Sequence, residues 1–341
     1  MRLGVGGVVV GALVAGLACS DDDNGVGPAS CPPLTILPRL DDSDALNAAV
    51  SAVGVNNGAQ IVGSDNRRAV LWGESADGVP PIELNFPFQP NDPAGAVAHA
   101  INDAGQIVGE AVGRAFLWQN GVVTDLGTLG GGSAGATDIN ELGWIVGYSF
   151  TGSGESHAFL WRDNVMTDLG TLGGARSVAL AINRRGQVVG TSWRAGEFVD
   201  RAFLWENGVM TELSELPELP SVAHDINDAG QVVGVSGVRA FLWEAGVVTD
   251  LGTLGGRKSI ATAIDSSGRI VGSSTIPFDP VEHAFVWVNG VMTDLGTFDA
   301  LAGRPSVAND ISASGVVVGV SAAPSPFRAA YALRWDLNCL P

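Results

Sequence analysis

The stretch Ile101-Asn102-Asp103-Ala104-Gly105-Gln106-Ile107-Val108-Gly109 decides the fold, because variants of it recur from Val55, Ile139, Ile182, Ile226, Ile264 and Ile311. Each copy is followed by a segment like Arg114-Ala115-Phe116-Leu117-Trp118, ending at Trp72, Trp118, Trp161, Trp205, Trp243, Trp287 and Trp335. The intervals between these tryptophans are 46, 43, 44, 38, 44 and 48 residues, so the period tolerates insertions. Self-similarity at such a period marks a repeat architecture. The units are numbered 1 to 7 by these tryptophans; Trp144 and Trp193 fall outside the register.

Unit 2 predicts four short strands, Val97–Ile101, Gln106–Gly109, Arg114–Trp118 and Val122–Leu126. Between the first two, Asn102-Asp103-Ala104-Gly105 offers an Asx side chain and a glycine, which favour a tight turn. Between the last two, Asn120-Gly121 is a two-residue hairpin signal, since both central residues of a type I′ turn need φ > 0. A four-stranded antiparallel repeat of this length fits a β-propeller blade, whereas parallel β-helix repeats are shorter. Glycine fills 47 of 341 positions without collagen spacing. That density and the period-two pattern exclude helical repeats and predict an all-β protein.

The ends predict closure. Unit 7 stops after its third strand, around Tyr331 to Trp335, while Leu34-Thr35-Ile36-Leu37-Pro38-Arg39-Leu40 aligns with the fourth strand of unit 5 from Val248 to Leu254. Pairing the two would complete the last blade and leave no free edge. The expected fold is therefore a seven-bladed β-propeller of four-stranded antiparallel blades over residues 34–341, its last blade closed by the N-terminal strand. An open or six-bladed array is the alternative.

A correlation inside the repeat supports the outer hairpin. Cation candidates four residues before the repeat tryptophan match acids on the fourth strand: Arg68 with Glu83, Arg114 with Asp125, His157 with Asp168, Arg201 with Glu212, Arg239 with Asp250 and His283 with Asp294. Unit 7 has Tyr331 and Ile36 there and lacks both charges. This joint loss is expected of side chains that face each other, directly or diagonally, and reads as a structural ion-pair ring. His99 and His224 occupy another repeat position, held elsewhere by Val53, Thr137, Leu180, Thr262 and Asn309, so no metal-ligand set emerges. No cofactor motif is present: the Gly-Thr-Leu-Gly-Gly runs from Gly127, Gly170 and Gly252 lack the ending of a phosphate loop.

With 46% hydrophobic and 16% charged residues the chain has material for a large core. A net charge of −18 argues against nucleic acid and anionic lipid surfaces as partners. Residues 1–18 carry one cation, Arg2, then an apolar Gly/Val/Ala/Leu run, which reads as a secretory signal peptide and is short for a membrane span. Small residues before Cys19 and the polar Ser20-Asp21-Asp22-Asp23-Asn24 after it resemble a bacterial lipoprotein signal. That would make Cys19 the lipidated N-terminus and residues 19–33 a flexible leader, so the membrane is met through the lipid alone. Ordinary signal-peptidase cleavage with Cys19 incidental is the alternative. The remaining Cys31 and Cys339 lie near the two ends; terminal closure and an oxidising envelope predict a disulfide between them.

The blocks Ala-Phe-Leu-Trp, Ile-Asn-x-x-Gly-x-x-Val-Gly and Thr-Asp-Leu-Gly-Thr-Leu-Gly-Gly, recurring in order from Leu34 to Trp335, resemble the bacterial extracellular HAF-repeat family. Its namesake triplet stands here as His157-Ala158-Phe159 and His283-Ala284-Phe285. The resemblance implies an exported, propeller-like repeat protein without an established activity. Arg or Tyr331 replaces the histidine in the other units, so it is not a required catalyst.

Function is expected on one face. The connections between second and third strands vary from Glu110–Gly113 to Thr191–Asp200 and Val320–Ala330, while the other hairpin turns are mostly tight. One-sided insertion marks the binding surface of a repeat protein. Phe150, Trp193, Phe198, Phe278 and Phe327 are read into these loops as ligand-binding candidates. The expectation is a monomeric, non-enzymatic binding or scaffold module of the bacterial cell envelope, or an extracellular one, with an envelope protein or glycan as partner and no catalytic residues. The alternative is a carbohydrate-active hydrolase or lyase using loop carboxylates among Glu155, Glu197, Asp200, Asp279 and Glu282.

Overall fold

The computed structural model describes residues 34–40, 49–73, 79–86, 95–278, 281–297, 304–322 and 330–339. All belong to the second of the two units, Met1–Cys31 and Pro32–Pro341, into which the chain divides. The signal segment 1–18, the leader 19–33 with Cys19 and Cys31, and Phe327 and Asp279 lie outside the described residues. Among those described there is no α-helix, and the strands form five four-stranded sheets and one eight-stranded sheet. The eight-stranded sheet is two antiparallel ladders, units 3 and 4, joined by one parallel pair between Ser156 and Arg176.

Unit 2 shows how the sequence pattern builds a ladder. Its strands run Ala96–Ile101, Ile107–Ala111, Arg114–Gln119 and Val122–Asp125, each antiparallel to the next. Asn120 and Gly121 both have positive φ, as the two-residue turn demands. Apolar side chains from one unit pack against the next. Val146, Ala158, Leu160 and Leu169 of unit 3 share a core cluster with Ala179, Ile182, Val188 and Phe203 of unit 4. Val316, Val318 and Ala332 of unit 7 share another with Val50, Ile61, Val70 and Trp72 of unit 1. The chain's last repeat is thereby packed against its first.

The glycine that ends each recurring Ile-Val-Gly or Val-Val-Gly block sits where two backbones approach closely. A Cβ on Gly190 would lie 2.0 Å from the carbonyl oxygen of Val178 on the first strand of the same unit, and Gly63, Gly109, Gly147, Gly234, Gly272 and Gly319 meet the equivalent oxygen at 1.9–2.0 Å. Backbone cannot rotate away as a side chain can, so strands must part. Gly190→Ala is expected to destabilise the protein by about 3 kcal/mol, read from denaturant midpoints at unchanged m-value. An unchanged midpoint would show that the approach is not needed.

The N-terminal strand Leu34–Ile36 completes the sheet of unit 7: Leu34 pairs with Trp335, Thr35 with Arg334 and Ile36 with Leu333. Ile36 therefore takes the place that Asp250 holds opposite Phe241 in unit 5. The chain then crosses to unit 1, where Trp72 Nε1 donates to Pro38 O at 2.7 Å and Arg39 pairs with Asp65 at 3.2 Å. At the other end, Cys339 closes a short 3-10 turn, Leu337–Cys339, and is disulfide-bonded.

Candidate functional site

The innermost strand of every unit carries a bulge, and the seven bulged residues line one cavity. The register shift between Ala98 and Ala100 leaves His99 as the extra residue, and the same shift isolates Val53, Thr137, Leu180, His224, Thr262 and Asn309. Five of these reach a neighbouring carbonyl: His99 Nδ1 to Ala136 at 2.8 Å, Thr137 to Ala179 at 2.9 Å, and His224 Nδ1, Thr262 and Asn309 to Ala261, Ala308 and Ala52 at 2.7 Å. Asn309 thus ties unit 7 to unit 1. Thr137 and His99 perform one task with different donors, which explains why histidines are scattered through this repeat position.

Next to the bulge stand three half-buried carboxylates, Asp138, Asp225 and Asp310, in alternate units. Each accepts from the following isoleucine N–H and from the equivalent amide one unit on: Ile182 at 2.8 Å, Ile264 at 2.7 Å and Val55 at 2.8 Å. Burial raises their pKa values to about 6, about 7 and about 6, against the pull of the two amide donors. Burial also lowers the pKa of His224. These groups surround a cavity of 140 Å³.

The tight turns form a second belt at the mouth. Asn56, Asn102, Asn140, Asn183 and Asn227 each donate from Nδ2 to the carbonyl of the equivalent residue one unit on, at 3.0–3.1 Å. In unit 6 the amide is replaced by Asp265, which cannot donate; Arg269 pairs with Asp265 and donates to Ala313 O at 2.9 Å instead. Ala313 N then donates to Asn57 Oδ1 at 2.8 Å. The belt lines a cavity of 320 Å³, but its polar groups are committed to each other. Among the described residues no group of three or more His, Cys, Asp or Glu is placed to hold a metal.

On the outer rim, the six sequence-matched pairs lie together: Arg68 and Glu83 at 3.7 Å, His157 and Asp168 at 2.8 Å, Arg201 and Glu212 at 3.0 Å, Arg239 and Asp250 at 3.1 Å, His283 and Asp294 at 2.8 Å, and Arg114 with Asp125. The contact is diagonal, since Asp168 stands directly opposite Phe159 and His157 is two residues away on the same face. Tyr331 and Ile36 pack against the apolar cluster of Leu333 and Trp335.

Of the aromatic candidates, Phe150, Trp193, Phe198 and Phe278 are described, with one correction to their setting. Phe150 and Trp193 sit in strands, Ile145–Thr151 and Val188–Arg194, and not in loops. The second strands lengthen because Gly130–Ile139 and Gly173–Ile182 begin at the Gly-Gly steps and pair with them. A Cβ on Gly131 would lie 2.5 Å from Phe150 O, and one on Gly174 2.7 Å from Trp193 O. Phe150 and Trp193, with Tyr148, Glu155 and Arg176, line a cavity of 600 Å³ between units 3 and 4. Trp193 is held by its Nε1 bond to Asp200 at 2.9 Å, by the Arg176 guanidinium 5.5 Å from the ring centroid, and by an edge contact with Phe198 at 5.4 Å. Phe198 itself is exposed.

Tyr148 and Arg176 carry no signal of their own in the sequence. Tyr148 donates its hydroxyl to Glu110 at 2.6 Å, and burial beside that carboxylate pushes its pKa up, so it presents a neutral ring. Phe278 belongs to a separate cavity in unit 6. Of the loop carboxylates, Glu197 is paired with Arg201 at 2.6 Å, Asp200 with Arg176 at 2.9 Å, and Glu155 lies 3.9 Å from His157.

No family model matches the chain, and no curated protein matches it. Solved structures do. The extracellular domain of a protein named as a one-component system, from B. thetaiotaomicron, superposes with a TM-score of 0.55 at 9% identity, over 88% of this chain and 39% of that one. The Pyrococcus horikoshii acylaminoacyl peptidase gives 0.53 at 12%, over 87% and 52%, so this chain spans about half of that enzyme. The β-propeller domain of the Trilobed protease from Pyrococcus furiosus gives 0.51 at 12% identity, over 85% and 96%. At these identities the likeness concerns the fold alone: this chain is similar to β-propellers, in an all-β arrangement of four-stranded antiparallel sheets.

Proposed function

We propose that the protein is an exported cell-envelope binding module, a closed seven-bladed propeller of the HAF-repeat type, that takes its ligand on the loop-rich face without chemistry. The observation that carries this reading is the 600 Å³ cavity whose walls are the rings of Tyr148, Phe150 and Trp193 and whose polar groups include Arg176 and Glu155. Concave, largely apolar sites with few placed polar groups hold small ligands, and flat rings suit sugar faces or peptide side chains. Glycoside cleavage by the usual route needs two carboxylates flanking the bond. Glu155 is the one acid among the lining residues, while Glu197 and Asp200 are engaged with arginines. Turnover of a bound glycan by purified protein would establish the competing hydrolase or lyase reading.

The same proposal places Cys19 as the lipidated N-terminus and bridges Cys31 to Cys339. Mass spectrometry of the mature N-terminus and nonreducing peptide mapping read these two assignments. Seven-fold closure is supported by contributions from all units to the two axial cavities.

The site itself is tested by a thermal-shift screen of residues 20–341 against glycans, peptides and divalent cations. A ligand at a hundred times its Kd stabilises by about 2.7 kcal/mol. The shift is expected to vanish in Trp193→Ala and shrink in Phe198→Ala. A hit that survives both but is lost when the tight turns are altered would put the site on the other face.

A further inference from the structure

Unit 6 repeats the wall of the cavity between units 3 and 4 with a different charge. Gly173-Gly174-Ala175-Arg176 and Gly255-Gly256-Arg257-Lys258 follow the same Thr-Leu step. In unit 4 the cation is neutralised where it stands, by Asp200 at 2.9 Å. In unit 6 the residue equivalent to Asp200 is Glu282, which instead accepts from Ser273 Oγ at 3.2 Å. Lys258 is the chain's one lysine, and Arg257 beside it adds a second cation. Their backbone amides are fixed on Thr275 Oγ1 at 2.9 and 3.0 Å, yet neither side chain makes a hydrogen bond or ion pair among the described residues.

Both cations line a cavity of 540 Å³ that also includes Pro277, Phe278 and Glu282. Phe278 shows 109% relative exposure and holds φ at +62°, a conformation costly for a bulky residue. In a chain of net charge −18, two adjacent cations without an ion pair among the described residues stand beside an exposed ring. Such a departure from the repeat's own rule is expected at a functional site.

We propose that this unit 6 cavity binds an acidic oligosaccharide, with carboxylate or sulfate groups on Arg257 and Lys258 and a sugar face on Phe278. It is a second site, separate from the one at Trp193, and does not depend on it. Arginine and lysine are the donors suited to such anions, and an aromatic face suits the apolar side of a pyranose.

Titration calorimetry on residues 20–341 tests it with a galacturonic acid trimer, a heparin-derived hexasaccharide, maltotriose and a poly-glutamate peptide. The informative variant is Arg257→Gly with Lys258→Ser, which installs what unit 3 carries at Gly132 and Ser133, so the fold is preserved. At least one acidic saccharide is expected to bind, and which one separates carboxylate from sulfate recognition. Binding should weaken about a hundredfold in the double variant, as two charge-assisted contacts are lost. It should also weaken between about 50 mM and about 500 mM salt. Any maltotriose binding should be unchanged in the double variant, and Trp193→Ala should leave the affinity for the acidic saccharide unchanged. The proposal is overturned if no acidic saccharide binds, if the double variant binds as wild type does, or if poly-glutamate binds equally well.

Discussion

Removing residues 34–40 is expected to abolish cooperative unfolding of the remaining domain, although only three of those residues form a strand. Leu37 is 1% exposed and lies in the cluster shared by units 7 and 1. Its amide donates to Ala332 O at 3.0 Å, and the carbonyl of Pro38 is the partner of the buried Trp72 indole. Asp65 weighs most, because its side chain is 0% exposed, is neutralised by Arg39 and accepts from the Leu40 amide at 2.8 Å. Removing one partner of a buried ion pair costs about 3–5 kcal/mol. Losing a buried leucine adds about 2–5 kcal/mol. Against a total stability of about 5–15 kcal/mol, little remains. Tryptophan fluorescence and circular dichroism against urea should give noncoincident or featureless transitions. Arg39→Ala, which keeps the strand, should fold and lose about 3 kcal/mol of stability, read from its midpoint at unchanged m-value. A truncated protein that unfolds cooperatively near the full-length midpoint would remove the closure argument.

The repeat makes most of this fold legible because each strand and turn is specified locally. Asn120-Gly121 sets its hairpin through the φ values of two residues, and Ile36 is placed in the last sheet because its segment matches a fourth strand of unit 5. What the sequence does not disclose depends on the neighbouring unit. His99 reads as one of five residue types spread over seven units, because its partner is a carbonyl 37 positions away. Asp138, Asp225 and Asp310 read as solvated acids of an acidic chain; only the meeting of the innermost strands desolvates them. Phe150 and Trp193 read as loop residues, whereas strand extension there follows from the close approach allowed by Gly131 and Gly174. One further signal lies in the sequence itself. Asp265 and Arg269 change together, where Asn227 and Gln231 stand in unit 5, and the pair keeps the donor to the next carbonyl.

Stability is expected to rise as pH falls from 8 towards 5, opposite to the usual behaviour of paired surface carboxylates. The half-buried and desolvated Asp138, Asp225 and Asp310 have folded pKa values of about 6, about 7 and about 6, above the 3.8 of the exposed group. In that window the native state therefore binds more protons than the unfolded chain, and unfolding becomes less favourable as pH drops. Each group contributes about 1.4 kcal/mol per pH unit once pH is below its folded value. Glu141, also raised by burial, adds in the same sense, while His224, lowered by burial, opposes it below 6.5. Comparing variants isolates the carboxylate. Asp225→Ala installs the residue found at Ala100, Ala181 and Ala263, so it is tolerated sterically, but it orphans the amides of Ile226 and Ile264. At pH 8 this loss is offset by removing a desolvated charge; at pH 5, where the native carboxyl is neutral, it is not. The deficit of Asp225→Ala relative to wild type should therefore grow by about 3 kcal/mol between pH 8 and pH 5. A deficit independent of pH would mean that Asp225 titrates as an ordinary solvated acid and that the axis of the molecule admits water.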